Sequence, residues 1–268
     1  MRSVKPKKSL GQHFLRDLGI AKAIADTVDV CPSLPILEVG PGMGVLTQFL
    51  ESKGRELKVV ELDRESVAYL REKFPGLGGG IIEHDFLRMD LQEAFGGKPF
   101  VLTGNYPYNI SSQIFFKMLD NKGLIPCCTA MIQKEVAERI ASRPGCKAYG
   151  ILSVLVQAWY TVEYLFTVDE HVFTPPPKVK SAVIRMTRNA TTDLGCDAKL
   201  FKSIVKTTFN QRRKTLRNSI SPILEKGSPL SADPIFNRRP EQLSVEDFIG
   251  LTNRVSQALG EAPSLNNQ

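Results

Sequence analysis

The chain has 268 residues, of which 42% are hydrophobic and 24% charged, an ordinary composition for a soluble globular protein. This length allows a substantial core and two domains, and the formal net charge of +7 suggests a polyanionic partner. No apolar run approaches the ~20 residues of a membrane span, the basic N-terminus lacks the apolar segment of a secretory signal, and the five cysteines contain no C-x-x-C pair. We therefore expect a cytoplasmic protein with reduced thiols, no membrane contact and no metal site.

The N-terminal segment is rich in lysine. Lys5, Lys7 and Lys8 precede Gly11–Leu15. Such a basic run is either a solvated tail or an arm that contacts phosphate, and the sequence leaves both open. Apolar residues from Ile20 to Val28 then recur at helical spacing, which predicts a helix before the first strand.

A strand, a glycine-rich loop, a helix and a second strand follow. Ile36–Val39 is the first apolar strand, and Gly40 and Gly42 open the loop behind it, where glycine lets the backbone approach a ligand. Leu57–Val60 predicts the second strand, and Glu61 at its end lies where an acid would bond ribose hydroxyls. The loop alone is a weak signal, but with the strand and the acid it predicts a nucleoside-type cofactor. Its G-x-G-x-G spacing differs from the G-x-G-x-x-G of dinucleotide enzymes.

The third predicted strand, residues 81–85, also ends in an acid. Asp85 could accept a hydrogen bond from the adenine amino group of a cofactor, and Phe86 could flank the adenine ring. The alternative for Asp85 is a cap at a helix or turn.

The fourth predicted strand, residues 100–104, leads into the tetrapeptide Asn-Tyr-Pro-Tyr at 105–108. Asn105 offers a carbonyl oxygen, Pro107 stiffens the backbone so that carbonyl groups can be aimed outward, and Tyr108 offers a flat face for a base. Stacking of a base on such a ring contributes roughly 1–3 kcal/mol. These groups suit the exocyclic amine of a planar base, whereas the simpler interpretation is a turn with a surface tyrosine.

Further strands are predicted near 130–132, 162–165 and 182–186, the last of these closing the sheet. Three prolines follow Phe173 and Thr174 and stiffen that loop. Phe173 could therefore be fixed as a second stacking face, or it could be a core residue before a rigid turn.

Strand signals cease after a linker at 189–196, and the remaining apolar spacing is helical. Ser244 starts a helix with Asp247 at capping-box distance. A run of cations without an acid occupies the first part of this region, and it comprises Lys199, Lys202, Lys206, Arg212, Arg213, Lys214 and Arg217. Such a run is often only a solvated face, but seven unrelieved charges favour contact with phosphate.

Taken together, these residues resemble the small-subunit rRNA adenine N6,N6-dimethyltransferase family over nearly the whole chain. The stretches that carry the resemblance are L-G-Q-H-F-L from Leu10, E-V-G-P-G-M-G from Glu38, E-L-D from Glu61, N-Y-P-Y-N-I-S from Asn105, Q-K-E-V from Gln133, F-T-P-P-P-K-V from Phe173 and Q-R-R-K-T-L-R-N from Gln211. The last three are more specific than the glycine loop, which methyltransferases share generally.

The resemblance implies an α/β fold, the Rossmann-like methyltransferase fold with a mostly parallel doubly wound sheet, which we place at residues 1–188. A small all-α, basic, RNA-binding domain would follow at residues 189–268, with Arg212, Arg213, Lys214 and Arg217 on the RNA. The cofactor would be S-adenosyl-L-methionine, without a metal. The implied cofactor contacts are His13, Leu15, Gly40, Glu61, Asp85 and Asn105, and we add their neighbours Gly42 and Phe86.

Two residues depart from the family's pattern. His13 stands where Asn is usual, so that contact changes. Tyr106 stands where Leu is usual, so the pocket wall changes while the backbone role should survive.

The implied reaction is direct methyl transfer to two adjacent adenosines in the 3′-terminal hairpin of 16S rRNA, each methylated twice. Asn105 Oδ1 and the Pro107 carbonyl would hold the N6 amine, and Tyr108 with Phe173 would clamp the flipped base. We expect the enzyme to be a monomer off the ribosome and to serve small-subunit biogenesis.

Two rival functions remain open, and a third is disfavoured. A related methylase could act on large-subunit rRNA or on DNA adenine. The chain could instead act mainly as a ribosome-assembly factor with methylation secondary. A dinucleotide dehydrogenase is disfavoured by the glycine spacing.

Overall fold

A seven-stranded sheet forms the centre of the first of two units. The computed structural model describes residues 6, 7, 10–225 and 227–261. The first unit runs to Glu138 and resumes from Tyr160 to Asn189, and the second comprises Arg139–Trp159 and the chain from Ala190 onward.

All seven strands expected from the sequence are present. Numbered in chain order, the strands are β1 (Phe14–Leu15), β2 (Ile36–Val39), β3 (Leu57–Glu61), β4 (Ile81–Glu83), β5 (Val101–Asn105), β6 (Cys127–Gln133), β7 (Tyr160–Val168), β8 (Phe173–Thr174) and β9 (Ser181–Arg188). The α-helices are α1 (Leu18–Asp26), α2 (Thr47–Glu51), α3 (Arg64–Lys73), α4 (Leu91–Ala94), α5 (Ser111–Asp120), α6 (Lys134–Ala141), α7 (Ile151–Gln157), α8 (Ala198–Asn210), α9 (Leu216–Ser219) and α10 (Val245–Glu261). The short strands β1 and β8 were not expected, and they pair with each other in a separate antiparallel ribbon.

The sheet order is β4-β3-β2-β5-β6-β9-β7. Strands β2 to β6 pair in parallel, whereas β9 is antiparallel to both β6 and β7. This is the predicted α/β fold with a mostly parallel sheet. The last strand in sequence, β9, lies inside the sheet, so β7 forms that edge. Because β2 lies between β3 and β5, the order of the strands reverses at β2. Open α/β sheets bind ligands beyond the carboxyl ends of the strands at the position where the strand order reverses.

The sequence of each parallel strand explains its place. All four residues of β2 are buried, and β6 is buried in all but its last residue, as expected for strands covered on both faces. Asp side chains begin the adjoining helices: Asp17 accepts a hydrogen bond from the amide of Ile20 in α1, and Asp63 from that of Glu65 in α3.

The predicted domain boundary needs a correction. The segment Arg139–Trp159, which we placed in the first domain, belongs to the second unit. Its helix α7 is apolar and almost wholly buried, and it packs against α8. Tyr149 from the same segment contacts the ring of Phe209 at 6.1 Å between centroids. The segment therefore completes the helical core that α8 begins, which linear sequence does not reveal.

The second unit is helical, as predicted. The capping box of α10 is confirmed, because the Ser244 amide donates to Asp247 Oδ2 and the Asp247 amide donates to Ser244 Oγ, each at 3.1 Å. Phe248 of α10 stacks obliquely on Phe209 with centroids 6.0 Å apart. In the described part of the chain, no helix is long and apolar enough to cross a bilayer. Those same residues contain no group of three His, Cys, Asp or Glu side chains that could hold a metal ion.

Candidate active site

A cavity of about 220 Å³ opens beyond the carboxyl ends of β2, β3 and β5. It is lined by every residue that we predicted to contact the cofactor and by three of the four predicted catalytic residues, Asn105 belonging to both sets: His13, Leu15, Gly40, Gly42, Glu61, Asp85, Phe86, Asn105, Pro107 and Tyr108. The structure thus brings together residues spread over almost a hundred positions of the sequence. Phe173 is not among the residues that line the cavity.

The glycine-rich loop bends where only glycine fits. Gly40, Gly42 and Gly44 have φ values of +69°, +55° and +72°. A Cβ atom on Gly44 would lie 2.2 Å from a ring carbon of Phe74, and one on Gly42 would lie 2.9 Å from the ring of Phe14. The loop is therefore held by both backbone conformation and close packing.

The buried carboxylate of Glu61 ties the end of β3 to this loop. Its Oε2 accepts from the Gly42 amide at 3.1 Å, and its Oε1 accepts from the Asp63 amide at 2.9 Å. Burial raises the pKa of Glu61, while the two backbone hydrogen bonds lower it in part. Each oxygen keeps a further lone pair, so the predicted bond to ribose hydroxyls remains possible and remains a prediction.

Glu38, in the middle of β2, is a site residue that sequence reasoning missed. It lines the cavity although only 1% of it is exposed. Thr47 Oγ1 donates to its Oε2 at 2.7 Å, and no described residue donates to Oε1. Burial raises the pKa of Glu38 to about 8, and the neighbouring Glu61 adds to the shift. The available signal was an acid within the otherwise apolar strand Ile-Leu-Glu-Val.

Asp85 occupies the turn after β4. Its Oδ1 accepts from the Leu87 amide at 2.9 Å, which is the capping role that the sequence left open. Asp85 also lines the cavity and keeps acceptor capacity, so the cap does not exclude a contact with adenine.

A lysine from α5 fixes the same loop. Lys117 Nζ donates to the carbonyl of Leu87 at 3.1 Å and to that of Met89, and it lies 5.6 Å from the ring centroid of Phe86. Phe86 is buried with one face at the cavity. Partial burial lowers the pKa of Lys117. The loop that would hold adenine is thereby tied to the helix behind the tetrapeptide.

The tetrapeptide begins at the last residue of β5. Asn105 Nδ2 donates to the His13 carbonyl at 3.1 Å, and Asn105 Oδ1 accepts from no described residue. Tyr106 turns into the core with 1% of it exposed, and its hydroxyl lies 3.4 Å from Cys128 Sγ. Its amide donates to the Met131 carbonyl at 3.0 Å. The unusual tyrosine is therefore a core residue beneath the loop.

The Pro107 carbonyl, which we predicted to accept from the amine, already has one donor within the protein. That carbonyl accepts from the Ile110 amide at 3.2 Å, within the turn that leads into α5. The Tyr106 carbonyl accepts from none of the residues that the structure describes. Tyr106, next to Asn105, therefore offers the wholly unengaged peptide oxygen, while the acceptor role of the Pro107 carbonyl stays a prediction that its second lone pair would have to serve.

The two predicted stacking faces differ. The Tyr108 ring is half-buried at the cavity and stacks on His13 with centroids 5.4 Å apart and planes at 28°. The Tyr108 hydroxyl lies 2.6 Å from Ser181 Oγ, and burial raises the pKa of this hydroxyl. Phe173 is only 1% exposed, because pairing with Leu15 turns its ring into the hydrophobic core. Phe173 is therefore a core residue, and the prediction of a second stacking face is wrong for this structure.

Comparison with known proteins decides the family. The model of the ribosomal RNA adenine dimethylase family matches residues 3–255. The chain belongs to this family. A relative from Phocaeicola vulgatus, named ribosomal RNA small subunit methyltransferase A, is 79% identical over 259 residues, covering 97% of this chain and 92% of the relative. One of the same name from Bacteroides thetaiotaomicron is 74% identical over 267 residues and the full length of both chains.

Two solved structures share the fold of this dimethylase-family chain. A dimethyladenosine transferase from Plasmodium falciparum is 23% identical with a TM-score of 0.75, covering 92% of this chain and 98% of its own. The 23S rRNA methyltransferase ErmE is 28% identical with a TM-score of 0.66, covering 90% and 99%. The predicted methyltransferase fold is thereby confirmed.

The four cations that we predicted to bind RNA lie in the turn between α8 and α9 and in α9 itself. Arg213, Lys214 and Arg217 are exposed and Arg212 is half-buried, and none of the four pairs with a described acid. Arg217 differs from the others because it donates to the Ser231 carbonyl and to Asn237 Oδ1. The side chains of Arg212, Arg213 and Lys214 thus have no hydrogen-bond or ion-pair partner within the described chain.

The N-terminal lysines only partly support the phosphate-arm alternative. Lys7 Nζ lies 2.5 Å from Asp63 Oδ1 and 3.2 Å from Glu65 Oε1. An ion pair with the buried Asp63 engages this lysine within the protein. Lys5 and Lys8 lie outside the described residues.

Proposed function

We propose that the protein uses S-adenosyl-L-methionine to dimethylate N6 of two adjacent adenosines in the 3′-terminal hairpin of 16S rRNA, during biogenesis of the small ribosomal subunit. The observation that carries the proposal is the free Oδ1 of Asn105 beside the unengaged Tyr106 carbonyl, at a cavity lined by acids. Membership of the dimethylase family and the names of its close relatives support the substrate.

The donor set of the cavity fits this cofactor. Gly40 and Gly42 line the cavity with positive φ and let the loop backbone approach a ligand, and Glu61 keeps acceptor capacity for hydroxyls. The unpartnered oxygen of Glu38 lies in the same cavity, where a cationic ligand would stabilise its charged form. Leu15 and Phe86 form an apolar part of the cavity wall. The set would hold a positively charged nucleoside.

The chemistry of the transfer needs alignment more than a base. The bound sulfonium supplies an electrophilic methyl group. The N6 lone pair of adenine is delocalised into the ring, so it needs hydrogen-bond acceptors that favour a pyramidal amine. Asn105 Oδ1 and the Tyr106 carbonyl would accept the two N6 hydrogens and would stabilise the positive charge that develops on nitrogen.

The target base must leave its stack to reach this pair. Tyr108 offers one face at the cavity, while the core position of Phe173 leaves the opposite side of the base to another group. The hydroxyl contact to Ser181 and the stack on His13 hold the Tyr108 ring in place, which lowers the entropic cost of clamping the base.

The test is methyl transfer from labelled cofactor to small subunits that lack the modification, followed by mapping of the modified nucleotides. We expect Asn105→Ala to lose most of the transfer while cofactor affinity stays within a few-fold. Asn109→Ala is the matched control, because Asn109 also lines the cavity but is exposed and lies outside the tetrapeptide. Normal turnover of Asn105→Ala would remove that residue from the mechanism, and methylation of large-subunit rRNA alone would favour an activity like that of ErmE.

We further propose that the cations after α8 bind RNA phosphates. Neutralising Arg212, Arg213 and Lys214 together should weaken RNA binding and flatten the dependence of log K on log salt, with the slope falling by roughly 0.9 for each phosphate that is no longer neutralised. Removing three charges from the first unit, at Arg64, Arg71 and Lys98, is the matched control. Equal slopes for the two triple variants would assign the effect to overall charge rather than to this cluster.

The oligomeric state and location are part of the same proposal. We propose a monomer off the ribosome that acts in the cytoplasm. Sedimentation velocity of the free protein at micromolar concentration should show a single species at the mass of one chain, and a stable dimer would contradict it.

A further inference from the structure

Three parts of the candidate site meet at His13. Its Nδ1 lies 2.8 Å from the Pro175 carbonyl, which follows β8. Its ring stacks on Tyr108, and its own carbonyl accepts from Asn105 Nδ2 at 3.1 Å. One residue thus contacts the backbone after β8 and both ends of the tetrapeptide.

The bond to the His13 carbonyl decides which atom Asn105 presents. A carbonyl oxygen can only accept, so the NH₂ group of the Asn105 amide must be the group that faces it. The other side of the same planar amide is Oδ1, which no described residue engages. Without this hydrogen bond the amide could rotate, and NH₂ would then face the amine that Oδ1 has to accept.

The imidazole side chain restrains that carbonyl in addition to the pairing of β1 with β8, which holds the backbone from Phe14 onward. Because the Pro175 carbonyl accepts only, the Nδ1 atom of His13 must carry the proton in this contact. The bond joins residue 13 to a segment that is 162 positions away in sequence and that β8 anchors to the core. The stack on Tyr108 adds a second restraint on the ring.

We propose that His13 is also a positioning residue for the Asn105 amide and the Tyr108 ring, acting through its bond to Pro175 in addition to the predicted contact with the cofactor. The effect of this role on kcat rests on the proposed methyl transfer. The asparagine that is usual at this position can donate the same hydrogen bond but has no ring to stack, so the two restraints can be separated by substitution.

Three variants separate the restraints. His13→Ala removes both, His13→Phe keeps a ring but cannot donate to Pro175, and His13→Asn can donate but cannot stack. We expect kcat for transfer to unmodified small subunits to fall roughly ten- to hundredfold in the Ala and Phe variants, as a misplaced reacting group predicts. His13→Asn should keep most of kcat, and the losses in the Ala and Phe variants should persist at saturating S-adenosyl-L-methionine. A tenfold rise in the Kd of S-adenosyl-L-methionine with kcat unchanged would make His13 a cofactor contact alone and overturn the proposal.

A double-mutant cycle with Asn105→Ala tests the route of the effect. If His13 acts in part through Asn105, His13→Ala lowers kcat by a smaller factor in the Asn105→Ala background than in the wild type, whereas fully independent roles multiply. Multiplied losses would overturn the proposal.

A readout without catalysis completes the test. The side-chain amide signals of Asn105 in ¹H–¹⁵N spectra, assigned by their loss in Asn105→Ala, should exchange with water faster in His13→Ala and His13→Phe than in wild type. Unchanged exchange would refute the positioning role. Absence of RNA methylation by the wild type would instead refute the proposed function, and the amide signals would still decide the role of His13.

Discussion

Replacing Glu38 by Gln tests whether the buried acid in β2 is neutral in the folded, cofactor-free protein. Burial raises the pKa of Glu38 from 4.5 to about 8. At a pH between these two pKa values, Glu38 has lost its proton in the unfolded chain but keeps it in the folded protein. The unfolding free energy of the wild type should therefore fall as the pH rises from about 4.5 towards 8, and the Gln variant lacks this contribution.

The magnitude follows from the two pKa values. The full slope is ~1.4 kcal/mol per pH unit, so between about pH 6 and pH 8 the wild type should lose about 2 kcal/mol that Glu38→Gln keeps. Titrating groups other than the coupled Glu61 cancel in the comparison because both proteins contain them. Thr47 Oγ1 can still donate to the amide oxygen of Gln, so the local packing is preserved.

Urea unfolding at several pH values, without cofactor, measures the effect. Glu72→Gln is the control, because Glu72 is exposed on α3 in the same unit and should follow the wild type. Unfolding free energies of wild type and Glu38→Gln that stay parallel across this range would show that the carboxylate is already charged when folded. The account of Glu38 as a neutral acid that awaits a cation would then be wrong.

Two further substitutions probe the loops. Gly44→Ala should lower the free energy of unfolding in urea by roughly 2–4 kcal/mol, because the new Cβ would meet Phe74 at 2.2 Å. Gly54 has a similar φ of +66° but open space around it, so Gly54→Ala should lower that free energy by only about 1 kcal/mol. Equal costs would show that the ring moves aside freely. Lys117→Met should lower stability by about 1–2 kcal/mol and weaken cofactor binding in calorimetry, because two loop carbonyls lose a charged donor. The exposed Lys98→Met should do neither, and unchanged affinity in Lys117→Met would separate that loop from the cofactor.

Local sequence was sufficient for much of the fold and the site. The apolar runs that gave β2, β3 and β5 are short and bounded by glycine or an acid, so their period and their ends were both visible. Because parallel strands end at one edge of the sheet, Glu61 and Asn105 could be placed together from the order of the strands alone.

The failures share a long-range cause. Phe173 became a core residue because β8 pairs with β1, a contact between distant two-residue strands with no local signal. Glu38 was hidden because an acid inside an apolar strand indicates function only once the strand's neighbours are known.

The antiparallel ribbon of β1 and β8 has a consequence for synthesis of the chain. The residues of β1 must wait for partners in β8, since Phe14 pairs with Thr174 and Leu15 with Phe173, and closing so long a loop carries an entropic cost that grows with the logarithm of its length. The binding cleft of a nascent chain therefore lacks one wall until the central sheet has been translated almost completely. An enzyme that modifies ribosomes thus acquires its donor site late in its own translation.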